Sequence, residues 1–164
     1  MNANRALLLM GVLSLAACSD QDVPRVLGRP AVAAPAPALV PAPHGLDPAK
    51  VARGAQLFQE NCAACHGANA EGASSWHKKS ADGKYPPPPL DEKGHAWHHP
   101  LAALKQTIRE GTLKTGGGMP PWGEKLSDQD IEAVIAWFQS KWSQEAYKNW
   151  AFMDEKARRG LAKH

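Results

Sequence analysis

Cys62-Ala63-Ala64-Cys65-His66 is the stretch around which the rest of this chain is organised. Its cysteines lie about one helical turn apart, with an imidazole directly after the second. Three chemistries use such a pair: a thiol–disulfide redox centre, half of a structural zinc site, or covalent attachment of a porphyrin. A redox pair would follow a β-strand, but the residues ahead of Cys62 read as a helix. A closed zinc site needs a second Cys or Cys/His pair. The chain has only three cysteines, and the third is Cys18, far upstream. The pattern therefore points to one haem c, held through thioethers from Cys62 and Cys65, with His66 as one axial ligand to the iron.

Working outward, Asp47-Pro48 opens the folded part. Aspartate can cap a helix, and proline suits the first turn, where no amide bond is lost. Val51, Ala55 and Phe58 recur at helical spacing with Gly54 on the same stripe, which predicts a helix running into Cys62. A second helix runs from Pro100 through Leu101, Leu104 and Ile108 to Gly111, a stop residue. A third begins at the capping-box-like Ser127-Asp128-Gln129-Asp130 and continues through Ile131, Val134, Ile135 and Phe138 to Trp142, with Trp137 beside that stripe. No stretch sustains period-two alternation, so the domain is expected to be all-α. Two long Gly- and Pro-rich loops, 67–99 and 112–125, separate the helices; loops of that length in a small domain wrap something or carry function. The polar tail 143–164 has Tyr147, Trp150 and Met153 at helical spacing and reads as one more helix against the domain, with no chemistry of its own.

A haem iron held by His66 takes its other ligand from elsewhere. Gly118-Met119-Pro120-Pro121-Trp122 is the leading candidate: thioether sulfur is a soft ligand that favours reduced iron, and the prolines stiffen the loop. Met119 as an ordinary gap-filler is the plainer reading. Its rivals among the methionines are weak, since Met1 and Met10 precede the mature chain and Met153 is in the tail. His95, His98 and His99 are candidates of another kind, for bis-histidine ligation.

These motifs in this order make residues 47–142 resemble the small monohaem class I c-type cytochromes of bacteria. The resemblance rests on Gly54 and Phe58 leading into Cys62-x-x-Cys65-His66-Gly67, on Pro88-Pro89-Leu90, on Gly118-Met119-Pro120-Pro121-Trp122, and on Leu126-Ser127-Asp128-Gln129-Asp130-Ile131 opening a helix with Trp137. It implies helices wrapped around one covalent haem, and single-electron transfer to redox protein partners rather than enzymatic turnover. It also implies that Gly54 and Phe58 pack on the Trp137 face where two helices cross. A carbonyl of the proline run, Pro88 by preference, would accept the Nδ1 proton of His66. Leu90 and Trp122 would lie on the haem, a generic apolar role being the plainer alternative for each. Rival readings are a small-ligand sensor or a peroxidase-like enzyme with a displaceable Met119, and a subunit docked in a larger oxidoreductase through its Tyr147/Trp150 tail. The departure from the family pattern is the insert 74–99, with Trp76, His77, Trp97 and the His95/His98/His99 cluster. These residues suit copper, the haem edge, a partner or plain surface polarity.

The N-terminus speaks to location. After Arg5, residues 6–17 form an apolar run too short for a membrane span of about 20 residues but suited to a signal peptide. It ends in Leu15-Ala16-Ala17-Cys18, which resembles a bacterial lipobox; there Cys18 would be acylated and become the first mature residue. An ordinary cleaved signal is the alternative. From Asp20 onward, Pro24, Pro30, Pro35, Pro37, Pro41 and Pro43 favour an extended tether of about 3.1 Å per residue. The layout is a signal peptide at 1–17, a lipidated cysteine and Pro/Ala-rich linker at 18–46, a cytochrome c domain at 47–142 and a helical tail at 143–164. That places the domain on the periplasmic side of a bacterial membrane, attached through lipid; export fits, because bacteria attach covalent haem outside the cytoplasmic membrane. A net charge of +3 is too mild to argue for nucleic acid. Lys78, Lys79, Lys84, Lys105 and Arg109 suit either steering of an acidic partner or simple solvation.

Overall fold

The computed structural model describes residues 42–161. The expected signal peptide, Cys18 and most of the linker lie outside them. Five α-helices follow in order: α1 Pro48–Asn61, α2 Ala63–His66, α3 Leu101–Glu110, α4 Asp128–Gln139 and α5 Gln144–Leu161. Among the described residues there is no strand, in line with the all-α expectation.

The helix starts follow local chemistry. The Asp47 carboxylate accepts the Ala49 N–H at 2.9 Å, with Pro48 in the first turn. Ser127 Oγ accepts the Asp130 N–H at 3.1 Å and donates to the Asp130 carboxylate at 2.8 Å. Helix α3 differs: it follows Pro100, which offers no capping side chain. Asp154, a buried residue of α5, accepts the Leu101 N–H at 2.8 Å and pairs with Arg158 at 3.1 Å. A carboxylate there satisfies an otherwise unpaired amide and faces the positive end of the helix dipole. The cap of one helix is thus supplied by another, 53 positions along the chain.

The core forms where α1 crosses α4. Gly54 is buried at the crossing, and a Cβ added there would lie 1.9 Å from the Ala133 carbonyl oxygen and 3.0 Å from Trp137 Cβ. Only glycine permits that approach. One turn on, the Phe58 ring meets Trp137 at 4.2 Å between centroids. Ile131, Ile135 and Phe138 fill the interior beside them. Helix α3 adds Leu104, and a charged clamp closes the outside: Lys50 of α1 and Lys105 of α3 reach the Glu132 carboxylate of α4 at 2.9 and 2.5 Å. The two ammonium groups hold that carboxyl below its usual range. The clamp is partly solvated, so it orients the helices more than it stabilises them.

Helix α4 stops at Gln139, three residues short of the expected end at Trp142. The N–H groups of Ser140, Lys141 and Trp142 bond to carbonyls three residues back, at 3.0–3.1 Å, which tightens the chain into a turn. Ser140 Oγ donates to the Trp137 carbonyl at 2.6 Å and competes with continuation of the helix. Trp142 stays buried, delivered by the turn.

The tail is the expected helix, but it does not present Tyr147 and Trp150 to a partner. Trp150 is 7% exposed, packs against Trp142, and donates its indole N–H to the His99 carbonyl at 3.0 Å. Tyr147 stacks on His44 at 4.3 Å. Burial of aromatic area turns this stripe inward, as expected of a helix lying against the domain; the rival reading in which Tyr147 and Trp150 form a docking contact draws no support from it.

Gly54→Ala is expected to lower stability by about 2–3 kcal/mol, because the methyl group must push two helix backbones apart. Ala52→Gly, on the exposed side of α1, should cost about 1 kcal/mol. Urea denaturation midpoints of the two variants against the parent check this order.

Candidate functional site

Helix α1 ends by delivering Cys62, whose N–H bonds to the Phe58 carbonyl at 2.8 Å. The N–H groups of Cys65 and His66 both return to the Cys62 carbonyl, at 3.1 and 2.9 Å. The two sulfurs are thereby carried on one tight turn, Cys62 half-buried and Cys65 exposed, with neither in a disulfide. Burial and the neighbouring Cys65 push the Cys62 thiol up to about 11, against the pull of Lys125.

His66 follows on the same turn. Its Nδ1 donates to the Pro88 carbonyl at 2.9 Å. A carbonyl only accepts, so Nδ1 carries the proton and the Nε2 lone pair is left as the ring's one metal donor. Burial lowers the tendency of the ring to take a second proton, and the Pro88 bond opposes it.

The Pro88 carbonyl is itself held. Four consecutive prolines, 86–89, lack N–H groups, so the segment is anchored by its carbonyls and by Leu90. Ala73 N–H donates to the Pro87 carbonyl at 2.9 Å, and Leu90 N–H to the Ala70 carbonyl at 2.8 Å. Gly72, at φ 63°, lies so close that a Cβ would sit 2.3 Å from Pro89 N. Leu90 is half-buried against the core.

Met119 lies on a loop that leaves α3 and returns to it. Thr112 is its hub: the Thr112 N–H donates to the Met119 carbonyl at 2.8 Å, and Thr112 Oγ1 accepts the Met119 N–H at 3.1 Å. Trp122 N–H reaches the Ile108 carbonyl at 3.1 Å, and Gly123 N–H that of Arg109 at 3.0 Å. At Gly111, φ 67°, a Cβ would fall 2.5 Å from the Met119 carbonyl oxygen, so the helix stop also seats the loop. Met119 and Trp122 are half-buried, and the Lys125 ammonium stands 5.2 Å from the Trp122 ring centre. Thr112 escaped sequence reading. A threonine seven residues ahead of a methionine has no local signature, and its two bonds to Met119 exist only once the loop closes.

The candidate donors are two thiols, an imidazole with one free nitrogen and a thioether; Leu90, Trp97 and Trp122 are half-buried against the core. These donors fit a haem: thiols for its vinyl groups, imidazole and thioether for its iron. The insert is organised differently. Trp76 stacks on His95 at 5.4 Å, His99 meets His95 edge-on at 5.4 Å, and His98 lies against Trp97 at 3.7 Å. Among the described residues, no group of three or more His, Cys, Asp or Glu is placed to hold a metal ion. The imidazoles of the insert pack against aromatic rings and one another.

Residues 49–138 match the family model described as cytochrome c oxidase, cbb3-type, subunit III. The cbb3-type cytochrome c oxidase subunit CcoP of Azospirillum sp. (strain B510) is 35% identical over 91 residues, 56% of this chain and 28% of that protein. Cytochrome c6 of Cladophora glomerata is 36% identical over 91 residues, 54% of this chain and 86% of that protein. The cytochrome bc1 complex cytochrome c subunit of Corynebacterium diphtheriae is 34% identical over 97 residues, 58% of this chain and 29% of that protein. The chain thus spans little more than a quarter of the length of its CcoP and bc1-complex relatives. No solved structure matches it significantly.

Thr112→Val keeps the side-chain shape and removes the acceptor for the Met119 N–H. The expected cost is about 1 kcal/mol. Hydrogen exchange at the Met119 amide should accelerate several-fold while amides of α4 hold their rates; amide-resolved exchange checks it.

Proposed function

The chain belongs to the c-type cytochrome family of cbb3-type oxidase subunit III and carries covalent haem c, and from that premise we propose a monohaem electron carrier with His66 and Met119 as its axial ligands. Cys62 and Cys65 form the thioethers in this reading, with Pro88 behind the histidine and Leu90 and Trp122 packed on the haem. The cofactor supplies the Fe(II)/Fe(III) couple. The protein supplies its tuning. A thioether favours reduced iron, and a hydrogen-bonded imidazole is the more basic ligand that opposes this.

One observation carries the saturated, electron-carrying reading over a ligand-binding one. Met119 is pinned through both its N–H and its carbonyl to Thr112, at the end of α3. A ligand meant to leave would sit on a loop free to swing; this one is held by paired backbone bonds just past the end of α3. With His66 and Met119 both held to the iron, no substrate would reach it, and the chain would act as a carrier rather than an enzyme.

Partners follow from the same chemistry. Relatives are named as subunits of a cbb3-type oxidase and of a cytochrome bc1 complex, which supports redox proteins as donor and acceptor and is compatible with a docked place in a larger assembly. No helix among the described residues is long and apolar enough to cross a membrane. The attachment proposed here is a lipid on Cys18, with residues 18–46 as the tether and the domain on the periplasmic side. A tethered carrier meets local partners at raised effective concentration.

Met119→Ala in the haem-loaded protein is expected to abolish the weak far-red sulfur-to-iron band, lower the potential and open the reduced iron to carbon monoxide. His98→Ala should change none of these. A band that survives in Met119→Ala, or carbon monoxide binding as ready in the parent as in the variant, would refute the ligand set. Palmitate labelling in an expressing bacterium should mark the parent chain and vanish in Cys18→Ser; label retained in that variant rules out the anchor.

A further inference from the structure

The proline segment behind His66 is tied in two directions. Toward the haem-attachment turn, it is held by the bonds to Ala73, Ala70 and His66 itself, all within residues 66–73. Those bonds leave the segment without a tie to the helical core. Toward the helical core, the tie is different. The indole Nε1–H of Trp142 donates to the Leu90 carbonyl at 2.9 Å, two residues past Pro88. The next residue, Ser143, donates its N–H to the Glu92 carboxylate at 3.0 Å. The turn between α4 and α5 therefore grips residues 90–92.

Trp142 is well suited to hold a position. It is buried, with rings of Phe138 and Trp150 each 5.9 Å away, so its indole has little freedom. Leu90 is bonded through both its N–H and its carbonyl, to Ala70 on one side and Trp142 on the other. Only Pro89 separates His66's acceptor, Pro88, from this anchor, and both prolines have their φ angles closed in rings. A stiff segment transmits the placement of Leu90 to the Pro88 carbonyl.

We infer that Trp142 is a positioning residue for His66: by anchoring Leu90 it holds the Pro88 carbonyl against Nδ1 and so sets the basicity of the imidazole. This rests on the reading of His66 as an iron ligand. A firmly hydrogen-bonded imidazole donates more strongly and favours oxidised iron. Loosening the anchor should therefore favour reduced iron and raise the midpoint potential. The C-terminal part of the chain then tunes the metal without touching it.

The test is redox titration of the haem-loaded full chain carrying Trp142→Phe, which keeps an aromatic ring and removes the N–H. At the parent midpoint potential, the ratio of reduced to oxidised protein should rise about threefold, the change expected from losing part of one hydrogen bond. Trp150→Phe is the control: it removes the indole bond to the His99 carbonyl, away from the proline run, and should leave the ratio unchanged. An unmoved potential in Trp142→Phe, or an equal rise in both variants, overturns the proposal, since the effect would then be general loosening or none. Should Trp142→Phe fail to load haem, Glu92→Ala decides, because Glu92 is exposed and grips the same turn. A smaller rise in the same direction supports the inference, and no rise overturns it. Failure of the underlying reading shows separately: His66→Ala would then keep the low-spin spectrum of the parent, whatever Trp142 does.

Discussion

Everything in the domain depends on how closely α1 and α4 approach at Gly54. Two helix backbones in contact leave no room for a side chain, so the crossing sets the angle at which α1 leaves the core. That angle sets where α1 delivers Cys62 and the tight turn that follows it. Phe58 and Trp137 then fill the space one turn from the crossing and make its geometry unique. A small domain with few helices has limited apolar area to bury, and this contact gathers most of it in one place.

Around that crossing, order is imposed by side chains bonding to distant backbone. Helix α3 lacks a capping side chain of its own, and the carbonyls of Leu90 and His99 take their donors from residues remote in the sequence. Trp142, Trp150 and Asp154 meet these needs from the turn after α4 and from α5. Buried backbone groups without partners are costly, and the tail helix removes that cost for α3 and for the insert together. The tail is thus part of the scaffold that holds the loops, and its aromatic stripe is consumed in doing so.

The loops follow a common rule. The Met119 loop is pinned by Thr112 and the proline segment by Leu90, each through paired bonds to N–H and carbonyl of one residue. Glycines stand where those segments press on their neighbours: Gly111 under Met119, Gly72 under Pro89. Pinned loops over a helical base hold His66 and Met119 firmly, as the proposed electron carrier requires.

The sequence by itself determined the helices and the cofactor. Asp47-Pro48, Ser127 and Gly111 mark their boundaries through local capping chemistry, and Cys62-Ala63-Ala64-Cys65-His66 names a covalent haem because that spacing serves few other chemistries. These features act over one or two turns, so they survive in a linear reading. Tertiary structure decided the rest. That Trp142 leaves the helix by a tight turn, that Asp154 caps α3, that Thr112 seats Met119 and that Trp150 faces inward all depend on partners distant in the chain or on a loop that must first close. No periodicity encodes them, because a hydrogen bond between remote segments exists only after the helix crossing has brought those segments together.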